Sequence, residues 1–172
     1  MTTLRRDIIK YGMLAGAAGG LAEVAWVSFY AAITGGNAAV LARGVTTAAG
    51  VTALLPAAPV TTGIVVHMML AVMLGVVLTG LWQTLQTQRV GSLYVVSLAL
   101  LASVWAINFF VILPVISPAF VNLLPLSVSL ASKLLFGLAA AETLRRCAIV
   151  GEARTAVTVR IRAINQARDP AP

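Results

Sequence analysis

The chain has 172 residues, 60% of them hydrophobic and only 10% charged, well below the roughly 25% charged residues of a water-soluble globular domain. Its mean hydropathy of +0.97 places most of its surface in hydrocarbon, and its long unbroken apolar runs exclude a transmembrane β-barrel, which alternates polar and apolar residues over ~10-residue stretches. Twelve basic residues against five acidic ones give a net charge of +7, but they gather at the chain ends and in one short turn, so topology explains them without nucleic acid.

Residues 1–10 open with the basic stretch Arg5-Arg6, as a signal peptide does. The apolar run behind them is too long for a signal peptide's core and lacks a cleavage site followed by polar sequence. It is predicted to be a retained first span over residues 11–33. Residues 34–61 form an apolar connection broken by Gly35, Gly44, Gly50, Pro56 and Pro59. Within it, residues 37–55 are expected to hold a short interfacial or re-entrant helix with Asn37 as its N-cap. A second span is predicted over 62–85, and a polar turn at 86–91 leads to a third over 93–116. Pro114 and Pro118 are expected to stop or kink the third helix. The fourth span is placed at 125–144, each span being near the ~20 residues that cross a bilayer core. Residues 145–172 form a basic tail. The fold class is an all-α, four-helix transmembrane bundle.

Four spans put both termini and the 86–91 turn on one side. That side carries Arg5, Arg6, Lys10, Arg89, Arg145, Arg146, Arg154, Arg160, Arg162 and Arg168; the opposite side carries Arg43. Cytoplasmic loops of membrane proteins collect Lys and Arg, so both termini are expected in the cytoplasm.

Helices in lipid approach closely where small residues line up. The first span has Gly12, Gly16 and Gly20, the second Gly63, Ala71 and Gly75, and the fourth Gly137. Polar residues share these rows. Glu23, His67, Asn108 and Lys133 all fall inside spans, and Glu23 and Lys133 reach similar depth. An isolated charge at mid-membrane costs several kcal/mol, so Glu23 and Lys133 are expected to pair, with His67 and Asn108 beside them. Two readings stay open: the cluster fixes helix register, or it binds a proton, ion, ligand or partner helix. His67 with Met68 offers imidazole and thioether for copper(I), and His67 alone an axial ligand for haem. Catalytic spacings, phosphate loops and nucleophile elbows are missing from the sequence, so no catalytic residue is assigned. The lone Cys147 excludes an internal disulfide and a multi-cysteine metal site.

Trp26, Tyr30 and Trp82 are placed as anchors at the membrane surface, and Trp105, Phe109 and Phe110 in packing or lipid contact. In the tail, Arg145, Arg146, Arg154, Arg160 and Arg162 suit anionic lipid at ~1 kcal/mol per surface cation, or a cytoplasmic partner.

Gly16, Gly19 and Gly20, the stretch from Gly63 to His67 with Gly75, Asn108-Phe109-Phe110 with Pro114, and Leu135-Phe136-Gly137 together resemble a family of small four-helix proteins of the bacterial inner membrane. The resemblance covers about residues 10–145. It implies the fold, a bacterial inner-membrane location and a buried histidine, and no activity or cofactor. The expected role is an accessory subunit beside other membrane subunits, in a respiratory or other redox complex for example, or self-association. The alternatives are a small proton, ion or solute transporter built on Glu23, His67 and Lys133, and a haem- or copper-binding protein.

Overall fold

A computed structural model describes residues 2–53, 56–87 and 92–168, and side chains within 7–53, 56–86 and 92–148. Residues 88–91 of the expected turn, with Arg89, and the side chains of Arg5, Arg6, Arg154, Arg160, Arg162 and Arg168 lie outside what it describes; residues 86 and 87 of that turn are helical. The elements are α1 (Thr2–Ile33), α2 (Ala38–Ala48), α3 (Pro59–Thr87), α4 (Leu93–Ile107), a π-helical turn (Asn108–Ile112), α5 (Leu113–Ile116), α6 (Pro118–Val121) and α7 (Leu126–Arg168). No strand occurs among the described residues.

Four helical stretches are long and apolar enough to cross a bilayer: Asp7–Ile33, Pro59–Gln86, Leu93–Ile116 and Leu126–Ala148. The composition sets these lengths, and the ends are set by local chemistry. α1 and α2 each finish in a Schellman turn. Gly36 N donates to Ala31 O at 2.8 Å and Val51 N to Thr46 O at 3.2 Å, with Gly35 and Gly50 left-handed at φ +70° and +69°. Such a turn needs a residue without a Cβ penalty at that position. Asn37 caps α2, its side-chain oxygen accepting from Ala39 N at 2.9 Å. Ser92 caps α4 by accepting from Val95 N at 3.3 Å.

The third span does not break at Pro114. The chain widens into the π turn just before it, and Leu113 N donates to Asn108 O, five residues back. A proline inside a regular helix drives its ring into the carbonyl four residues earlier; the wider turn moves that carbonyl aside and the helix continues to Ile116. The stop comes at Ser117, which leaves helical geometry ahead of Pro118. α7 likewise shows no boundary at residue 144. It runs unbroken to Arg168, so the basic tail continues the fourth spanning helix.

α1 and α7 form the centre of the bundle. α1 packs against α3 on one flank and α7 on the other, α4 packs against α7, and α3 and α4 barely touch. α2 lies against the start of α3 and reaches α6. The two ends of the bundle are therefore distinct: a terminal side, where α1 starts and α7 runs out, and an α2 side. The main hydrophobic core (Ala15, Ala71, Leu78, Leu101, Phe136, Ala140 and Leu144) occupies the half toward the terminal side.

Candidate functional site

Three ionisable side chains meet where α1, α3 and α7 come together. Counting back from the α2-side ends of the spans, Glu23 lies ten residues in, His67 eight and Lys133 seven, or about 15, 12 and 10 Å at ~1.5 Å per residue. The common depth follows from antiparallel helices of similar length. Lys133 Nζ lies 2.6 Å from Glu23 Oε1. Ser132 donates its hydroxyl proton to the same oxygen at 3.1 Å and also lies 2.7 Å from the Ser129 carbonyl oxygen. His67 Nε2 faces the other carboxylate oxygen, Glu23 Oε2, at 3.8 Å, too far for a hydrogen bond. Both of those atoms are buried and have no hydrogen-bond partner. Glu23 is only 7% exposed.

The structure thus brings together Glu23, Lys133 and His67 and leaves Asn108 out. Asn108 is half-buried at the start of the π turn, and no hydrogen bond joins its side chain to the triad. Ser132 stands where Asn108 was expected. A serine one residue before a lysine carries no distinctive sequence signal; only the pairing of α1 with α7 reveals it.

Small residues bring these helices near enough for the contacts to form. A Cβ at Gly12 would meet Val76 Cα at 2.6 Å, one at Gly16 would meet Ala71 O at 2.4 Å, and one at Gly20 would meet Ala71 Cβ at 2.7 Å. Gly75 answers from α3, against Gly12 O and Gly16 N, both at 2.3 Å. A Cβ at Gly19 would meet the Phe136 ring at 2.6 Å, so the bare glycine lets α7 close onto α1 on the terminal side of the triad. Gly63 belongs to a different contact, against Ala42 O of α2, where Thr46 also bonds to Pro59 O. A Cβ at Gly137 would meet Ser97 O of α4 at a looser 3.3 Å.

Two indoles tie α7 to its neighbours on the α2 side. Trp26 Nε1 donates to Val128 O at 3.1 Å, and Trp105 Nε1 donates to Ser129 Oγ at 3.0 Å. Trp105 also stacks on Phe109, with centroids 5.7 Å apart. Both tryptophans therefore make interhelical bonds, where the sequence places Trp26, near a span end, as a surface anchor and Trp105, in mid-span, in packing or lipid contact. Toward the terminal side, Glu142 accepts from Tyr94 Oη at 2.6 Å, from Arg145 Nε at 2.8 Å and from Arg146 Nε at 2.7 Å. This fastens the start of α4 to α7 and ties up two arginines that the sequence assigned to lipid or a partner.

Among the described residues no group of three or more His, Cys, Asp or Glu side chains converges. His67 faces Glu23, while Met68 directs its sulfur toward Gly20, 3.1 Å from where a Cβ there would sit. What the triad can do chemically is hold charge and protons inside hydrocarbon. No family model, curated protein or solved structure matches this chain.

Proposed function

We propose that the chain is a non-catalytic accessory subunit of the bacterial inner membrane, with both termini cytoplasmic, packing against another membrane-embedded subunit. One observation carries the reading: the triad is incompletely covered. The His67 side chain remains 21% exposed and that of Lys133 17%, at a depth where hydrocarbon would otherwise touch them. Polar groups in a span face protein or a water-filled cavity because acyl chains solvate them poorly. A helix from a neighbouring subunit laid over this edge completes their burial. The flanking position of α3 and α4, which scarcely meet, leaves room for such an approach. The orientation rests on the ten-to-one distribution of Lys and Arg between the two sides.

The test is purification from native membranes in a mild detergent. A second membrane protein present in fixed proportion to this chain is the expected result. A stable, monodisperse particle containing this chain alone would refute the proposal.

A further inference from the structure

We infer that Glu23, His67 and Lys133 form a proton-binding site in which one proton is shared between two bases, Lys133 and His67, across a single carboxylate. The inference takes the charges of this chain alone. It starts from charge. With Lys133 as ammonium, Glu23 as carboxylate and His67 neutral, the site has no net charge. With Lys133 as neutral amine and His67 as imidazolium, it again has none. Adding a proton or removing one leaves an uncompensated charge at mid-span, which a low-dielectric interior strongly disfavours.

No other charged side chain compensates. Among the described side chains, α1 contributes otherwise only Asp7 and Lys10, and α7 only Glu142, Arg145 and Arg146, all toward the terminal side; α2 contributes Arg43. α3 and α4 bring no other charged residue to this level.

Geometry makes the two states interconvertible. Each base faces its own oxygen of Glu23: Lys133 Nζ at Oε1, 2.6 Å away, and His67 Nε2 at Oε2, 3.8 Å away. Oε2 and Nε2 are buried and without hydrogen bonds, and they face each other. In the transfer, the Lys133 Nζ–H bond breaks and an Oε1–H bond forms, giving neutral lysine and neutral glutamic acid. Rotation of the carboxyl group presents that proton to His67. The O–H bond then breaks, an Nε2–H bond forms, and Glu23 returns to carboxylate. One proton has crossed from α7 to α3 with no change in net charge. A register-fixing ion pair would need only Lys133 and Glu23; the unpaired imidazole nitrogen facing the free oxygen is the feature that pairing alone leaves unexplained.

His67 is the only histidine in the chain, so histidine-labelled protein in lipid nanodiscs gives one pair of ring 15N signals, which distinguish imidazole from imidazolium. At neutral pH the unaltered protein should show neutral imidazole. Lys133→Met removes the competing base and should shift the signals to the imidazolium pattern, and adding Glu23→Gln should return them to neutral. Lys133→Gln, which keeps a hydrogen-bond donor beside Glu23 but has no proton to share, should behave like Lys133→Met and serves if the methionine variant does not fold. Imidazole that stays neutral in the folded Lys133 variants, or imidazolium that persists when Glu23→Gln is added to them, overturns the inference.

Discussion

Replacing Gly75 by alanine adds one methyl group at the tightest point of the α1–α3 contact. The new Cβ would lie 2.3 Å from both Gly12 O and Gly16 N and 2.4 Å from Gly16 Cα. All three are backbone atoms of a helix, so no side chain can swing away. Relief to an ordinary contact requires α3 to withdraw from α1 by about 1 Å, and close packing makes even one extra methylene felt. That withdrawal also loosens the contacts at Gly12, Gly16 and Gly20. Overpacking of this kind costs ~1–3 kcal/mol, and the upper part of that range applies because backbone is met on every side. A loss of ~2–3 kcal/mol lowers the folded-to-unfolded ratio by roughly 30- to 150-fold. Two companion substitutions calibrate the scale. At Gly80 the nearest atom to a new Cβ is Ile8 Cγ2 at 4.0 Å, so alanine there should be neutral or gain up to ~1 kcal/mol of helix propensity. At Gly137 the nearest atom is Ser97 O at 3.3 Å, and the effect should fall between the two. The assay is unfolding in mixed micelles by titration with SDS, followed by far-UV circular dichroism. If Gly75→Ala and Gly80→Ala share a midpoint, the backbone-to-backbone contact does not exist as described.

The same titration tests the ion pair and the indole bonds. Glu23→Gln should destabilise by ~3–5 kcal/mol because it strands the Lys133 charge, Lys133→Met should cost less because His67 can take up the compensating proton, and the double variant should lose less than the sum; strict additivity would show that the two groups do not interact. Trp105→Phe keeps the aromatic stack on Phe109 but deletes the bond to Ser129 Oγ, for an expected loss of ~0.5–1.5 kcal/mol. A neutral result would mean that the indole N–H is not satisfied by α7.

The features legible in the sequence are those written in one-dimensional patterns. Apolar length alone located four spans to within a few residues, and Asn37 ahead of an apolar stretch announced the cap of α2. The four-residue spacing of Gly12, Gly16 and Gly20 marked a contact face, and the depth of Glu23 and Lys133 along antiparallel helices paired them. What stayed hidden depends on which helix neighbours which. The order α3, α1, α7, α4 is not encoded by any spacing, and with it went Ser132 at the triad, the Trp26 bond to Val128 O, and the Tyr94–Glu142 link. Asn108 misled for a different reason. Polarity in a span usually calls for a polar partner, yet Asn108 sits at the start of the turn that lets the helix pass Pro114, where its backbone carbonyl serves the widened hydrogen bond.

α7 also has a mechanical consequence. Because this single helix holds Lys133 in the bundle and continues unbroken to Arg168, the 20 residues beyond Ala148 extend it by about 30 Å at ~1.5 Å per residue. A tilt of about 10° in the membrane would sweep the far tip of such a helix through about 5 Å on the same helical geometry. Any such tilt deep in the hydrocarbon would reach the far end of the same helix, because the chain has no break in its helical geometry between the two.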